Sequence, residues 1–131
     1  MKCLLDTNIC IYWLKGNARV EQKVMALGRD NVSISFITVS ELYYGVYKSQ
    51  RVDQNLSTIR RLTGQLNIIE SDEAISKEFG KLKALLENAG TIIDDADIYI
   101  AACARVYGLT LVTNNTKHFR YIKGLKLDNW M

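Results

Sequence analysis

At 131 residues, with 48% hydrophobic and 24% charged content, the chain is sized for one compact unit that buries roughly two-thirds of its extended surface, and its composition excludes a disordered or fibrous class. A net charge of +3 and a pI of 8.8 permit a polyanionic partner without demanding one. Stretches without a charged residue, such as Asn31 to Ser40, fall far short of the roughly 20 residues that span a bilayer, so no membrane association is expected.

Pro is absent and the 8 Gly stand singly, so no linker, repeat or low-complexity run divides residues 1–131. Asp6 comes too early for a secretory leader. Cys3, Cys10 and Cys103 form no CxxC pair, and with a single histidine, His118, they exclude a Cys/His zinc site. A reduced, cytoplasmic setting is expected.

Lys2 to Leu5 is a short apolar run that predicts a first strand ending at Asp6. A mixed segment follows, with Ile9, Tyr12, Trp13, Val20, Val24 and Leu27 at helical spacing. Val32 to Ile37 alternates and is β-branched, which predicts a second strand. Thr38 is expected to open a helix to about Ser49, with helical pattern resuming from Leu56 to Leu66. Leu66 to Glu70 predicts a third strand. Ser71 or Asp72 then caps a helix carrying Ile75, Phe79, Leu82 and Leu86, ended by Gly90. Asp94 starts another helix through Val106, closed by Gly108. Leu109 to Thr113 predicts a fourth strand, and Leu125 to Leu127 a short fifth at the edge. Strands alternating with helices imply a parallel sheet of four to five strands covered on both faces.

In such a sheet ligands collect at the carboxyl ends of the strands. Asp6 ends strand one, and Glu41 lies one turn into the helix after strand two. Asp94, Asp95 and Asp97 open the helix before strand four, and Asn114 and Asn115 follow it. Carboxylates gathered on one rim repel, and a hard divalent cation removes that conflict. Metal-assisted phosphodiester hydrolysis suits these residue types. Each residue also has a plainer account. Asp6-Thr7-Asn8 suits a helix cap, Thr38-x-x-Glu41 matches a capping box, and the aspartates complement a helix dipole, Asp94 at the cap. Tyr43, Tyr44 and Tyr47 suit packing or an interface, and His118 a surface or core-rim place. The rim reading prevails because three separate strand–helix junctions each supply an acid.

Leu4-Leu5-Asp6-Thr7-Asn8, Ile37-Thr38-Val39-Ser40-Glu41-Leu42-Tyr43-Tyr44-Gly45 and Asp97-Ile98-Tyr99-Ile100-Ala101-Ala102 resemble the VapC toxins, which are PIN-domain ribonucleases. Leu111-Val112-Thr113-Asn114-Asn115, Phe119 and Asp128-Asn129-Trp130 carry the likeness along nearly the whole chain. The resemblance implies a three-layer α/β/α sandwich, a single PIN-like domain over 1–131 and Mg²⁺- or Mn²⁺-dependent endonucleolytic cleavage of RNA. It also implies a homodimer and a VapB-like antitoxin. The substrate class it favours is tRNA, in the initiator's anticodon stem-loop. Asp6, Glu41 and Asp97 match the family's acidic triad, with Asp6 and Asp97 contacting metal directly and Glu41 directly or through water. Thr7, Asn115, Asp94 and Asp95 are expected to position ligands, water or substrate.

The chain departs from the family at the fourth acid, where His118 and Arg120 flank Phe119. That leaves one metal ion or two undecided, and makes a catalytically impaired module that binds antitoxin or RNA the main alternative. Lys48, Arg51, Arg60 and Arg61 are expected along one helical region, where they could track an RNA backbone. A phosphoacceptor receiver domain is disfavoured, since Glu70 rather than Asp ends strand three.

Overall fold

The computed structural model describes residues 2–131. Its sheet has five strands in the order β3-β2-β1-β4-β5, with β1 Cys3–Leu5, β2 Val32–Ser35, β3 Asn67–Ile69, β4 Thr110–Val112 and β5 Leu127–Asp128. All pairings are parallel. Central β1 pairs Cys3 with both Val32 and Thr110, and Leu5 with Val112. Such a strand is covered on both faces, which accounts for its continuous apolar run.

Successive side chains of a strand point to opposite faces. Leu4 and Leu111 enter one layer, against α5 (Glu73–Asn88) and α6 (Asp95–Val106). Cys3, Leu5, Ile34 and Val112 enter the other. That layer is formed by α1 (Thr7–Leu14), α2 (Ala18–Leu27), α3 (Phe36–Lys48) and α4 (Val52–Thr63). Full burial of Leu4 and Leu5 contributes about 2 kcal/mol each. Helix α6 is buried along Ile100–Ala104, where three alanines let it lie close to the sheet. No helix among the described residues is long and apolar enough to cross a membrane.

The structure corrects several boundaries. The mixed segment is two helices, broken at Gly16, whose φ of 87° suits glycine, and restarted by the Asn17 side chain accepting from Val20 N–H. Strand two stops at Ser35, because the Ser35 hydroxyl accepts from Thr38 N–H at 3.2 Å and opens α3 two residues early. Phe36 and Ile37 continue the alternating pattern by chance of helical phase, packing on the α5–α6 layer. Helix α4 begins at Val52 and ends at Thr63, ahead of the predicted span. The fifth strand lies two residues later than expected at its start. A four-residue helix, α7 (Thr116–Phe119), was not anticipated. The Asp72 cap, accepting from Ile75 N–H at 2.8 Å, is as predicted.

Candidate active site

Asp6 ends β1 and caps α1, and is buried at 5% exposure. Thr7 N–H donates to its Oδ1 at 2.8 Å. Thr113 Oγ1, just past β4, donates to its Oδ2 at 2.8 Å. Both oxygens are therefore held, each with lone-pair capacity left. The helix-cap account of Asp6 and the rim account are compatible: the same carboxylate does both.

Glu41 is exposed on α3. The Thr7 hydroxyl donates to its Oε1 at 2.7 Å. With its one proton committed, Thr7 Oγ1 accepts from Thr38 Oγ1 at 2.9 Å, and Ser35 Oγ donates to Thr38 at 3.4 Å. Three hydroxyls thus point their protons one way, onto the Glu41 carboxylate. The capping-box account of Thr38 and Glu41 does not hold. Ser35 is the cap, Thr38 is fully buried, and Glu41 faces α1 rather than its own helix start.

Asp97 lies in the first turn of α6, a quarter exposed. Burial pushes its carboxyl up to about 6, with the Asp6 charge next in weight and Asp94 and Glu41 adding to it, while His118 opposes. Burial also raises Asp6, opposed by its bonds to Thr113 and Thr7 and by His118. Asp6, Thr7, Glu41, Tyr44, Asp97 and Asn115 line one cleft of about 310 Å³. The Asn115 N–H donates to Thr113 Oγ1 at 2.9 Å, which ties the start of α7 to the hydroxyl holding Asp6.

Other expected residues are less concentrated. Asp94 is exposed and makes no side-chain cap bond. Asp95 is engaged by Lys83 of α5 at 2.8 Å and lines a different hollow, so the structure does not bring it to the cleft. Lys48 and Arg51 flank the turn between α3 and α4, whereas Arg60 and Arg61 occupy the last turn of α4. Arg51 precedes α4 and Arg60 lies nine positions on, about 13 Å of rise. The basic set is two groups rather than one stripe. Lys48 Nζ lies 5.1 Å over the ring of Tyr44. Tyr47 is exposed, and Tyr43 packs on the α1–α4 layer.

Sequence reasoning missed Thr38 and Thr113. A threonine immediately after a strand that borders Asp6 was the available signal for Thr113. It gave His118 a surface or core-rim place, without the neighbours found there: the ring stands 3.4 Å from Asp97 Oδ2 and 3.1 Å from Asn115 Nδ2.

The donor set fits a hard divalent cation: three carboxylates on one cleft, two with raised carboxyls and none paired with Lys or Arg among the described residues. Among the described residues no three His, Cys, Asp or Glu groups form a ready-made metal cluster. The fit is therefore to an open cleft in which water completes the coordination, as Mg²⁺ prefers.

A model of the PIN domain matches residues 3–125. The chain is 35% identical to the tRNA(fMet)-specific endonuclease VapC of Shigella flexneri, over 99% of this chain and 98% of that one. It is 39% identical to ribonuclease VapC2 of Rickettsia felis, over 97% and 96%. Among solved structures it is similar to VapBC2 from Rickettsia felis bound to a DNA fragment from their promoter, with a TM-score of 0.94, 38% identity and full coverage of both chains. DNA-bound VapBC from Salmonella typhimurium superposes with a TM-score of 0.95 at 32% identity, covering 100% and 99%. Likeness of this extent in both sequence and fold shows that the chain belongs to the PIN-domain family and, within it, to the VapC ribonucleases.

Proposed function

We propose that the chain is the toxin of a type II toxin–antitoxin pair: a Mg²⁺- or Mn²⁺-dependent endoribonuclease working as one unit over 1–131 in the cytoplasm. The observation that carries this reading is the convergence of Asp6, Glu41 and Asp97 on one cleft with no Lys or Arg paired to them among the described residues. Asp6 and Asp97 would hold the cation, and Glu41 would join directly or through water. When bound, the cation supplies an acidified water and positive charge against the phosphate.

The chain's own groups do the positioning. Thr113 and the Thr7 N–H fix Asp6, so its carboxylate needs no rearrangement when RNA arrives. The Thr7 hydroxyl orients Glu41 through Oε1. Asn115, fixed by Thr113, is placed to hold water or a phosphate oxygen at the cleft wall. In-line attack of water on phosphorus then breaks the P–O3′ bond and leaves a 3′-hydroxyl and a 5′-phosphate. Lys48, over the ring of Tyr44 at the cleft, and Arg51, at the same turn between α3 and α4, are the stronger candidates for following the RNA backbone. Charge reversal at both should lower the salt slope of RNA binding by about two. An unchanged slope retires that role.

The favoured substrate is tRNA, supported by the tRNA(fMet)-specific endonuclease of Shigella flexneri among its relatives, and the place of cleavage proposed within it is the initiator's anticodon stem-loop. A VapB-like antitoxin partner is supported by the VapBC complexes among the structural neighbours. A homodimer is proposed with them, and exposed Tyr44 and Tyr47 are candidates for a protein contact. The test is to incubate the purified chain with total tRNA, with and without Mg²⁺ or Mn²⁺, and map the cleaved ends. Cut ends that need the metal and disappear in Asp6→Asn support the reading. Intact tRNA and intact total RNA in both metals would instead make the chain a non-cleaving binding module.

A further inference from the structure

Between Asp97 and Asp128 the sequence holds no acid, and within that span Lys117, Arg120, Lys123 and Lys126 recur at every third residue. These four charges alone exceed the net +3 of the chain. Burial has the same period. Phe119 and Ile122 are buried, whereas all four basic residues are exposed. Backbone bonds fix that phase: Ile122 N–H donates to the Phe119 carbonyl at 3.0 Å, and Leu125 N–H to the Ile122 carbonyl at 3.4 Å. At the far end, Leu111 N–H of β4 donates to the Lys126 carbonyl at 2.8 Å. The segment is a strap, apolar beneath and cationic outside, pinned to the domain along its length.

The fold does not use these charges. Among the described residues no carboxylate lies within 4 Å of any of the four. Arg120 lies 5.2 Å over the Tyr121 ring and donates to its hydroxyl at 3.3 Å, which leaves most of its five N–H donors free. A lipid surface fits poorly, because Phe119 and Ile122 are turned inward rather than offered to acyl chains. A polyanion with phosphates on its outside fits well. The strap also starts at the cleft: Asn115, which lines it with Asp6 and Asp97, stands at the start of α7. Tyr44, beneath Lys48, lines the cleft as well. The cleft carboxylates repel phosphate, so a backbone crossing them has to be held from outside. Resting on the ribonuclease reading above, we propose that the strap from Lys117 to Lys126 grips the RNA backbone on one side of the cleaved bond, with Lys48 and Arg51 on the other. Its contacts are to phosphate, so it positions RNA without choosing a sequence.

The experiment measures binding of fluorescently labelled bulk tRNA to the full chain in EDTA, across a range of KCl. Combining Lys117→Gln, Arg120→Gln, Lys123→Gln and Lys126→Gln should flatten the slope of log affinity against log salt by about three. Lys123→Gln or Lys126→Gln alone should flatten it by about 0.8, and these two decide the matter if the fourfold variant fails to fold. Lys77→Gln, on the outer face of α5, should leave the slope as in wild type. An unchanged slope in both single variants overturns the strap's role while the ribonuclease reading stands. Equal flattening by Lys77→Gln and Lys123→Gln overturns it too, and so do strap variants that keep wild-type tRNA binding but lose binding to poly-glutamate. Flattened slopes in a chain that cuts no RNA with Mg²⁺ or Mn²⁺ support the strap and overturn the ribonuclease reading.

Discussion

Two sets of acids on this molecule have opposite surroundings. On the outer face, Glu73 meets Lys77, Glu78 meets Arg105 and Asp95 meets Lys83, so each carboxylate has a cationic side chain within 4 Å. In the cleft, Asp6 meets a threonine hydroxyl and a backbone N–H, Glu41 a threonine hydroxyl, and Asp97 an imidazole. Hydroxyls and amides orient a carboxylate but do not cancel its charge. The outer acids serve the fold, and the inner ones carry charge that the fold leaves for something else to neutralise.

The largest effect should come from removing an inner charge. Asp6→Asn keeps shape and the bond from Thr113, yet RNA cleavage should fall at least about 100-fold with the unfolding midpoint near wild type. A variant that cuts at full rate sinks the role given to Asp6.

Next comes stability without metal. The Asp97 carboxyl is raised from 3.8 to about 6, so its contribution is complete below about pH 4 and is lost as pH rises through 6. The difference amounts to at most about 3 kcal/mol, and burial of Asp6 adds in the same direction. In EDTA, Asp97→Asn should melt with wild type near pH 4 and above it at pH 7. Identical melting at both pH values would mean the inner acids are not in conflict. Excess Mn²⁺ should close the gap by stabilising the wild type.

Thr113→Val takes a hydroxyl from buried Asp6 at nearly constant volume, and should cost about 1–3 kcal/mol in urea unfolding. Least of all, Lys83→Met breaks the largely exposed pair with Asp95 and should leave the urea midpoint within experimental error. If Lys83→Met destabilised more than Thr113→Val, the contrast between the two sets would be false.

Much of this was legible in the chain. Strands one and four, the Asp72 cap and the acids at three junctions follow from apolar runs and from residues that end them. What escaped depends on contacts between distant segments. Ser35 ends strand two only because its hydroxyl caps Thr38, and Phe36 and Ile37 fit strand and helix patterns equally well until α6 packs on them. The capping-box account of Glu41 was local by construction, and Thr7, 34 residues away, is what overrides it. Asp95 and Asp97 are two residues apart, so in sequence they were equivalent candidates. The helix turns them to opposite sides, one toward Lys83 and the other toward His118.

The bond from Thr113 to Asp6 spans 107 positions and closes only when β4 slots in beside β1. A ribosome must therefore release the chain past position 113 before the first acid is steadied. Copies cut short ahead of β4 lack a finished cleft.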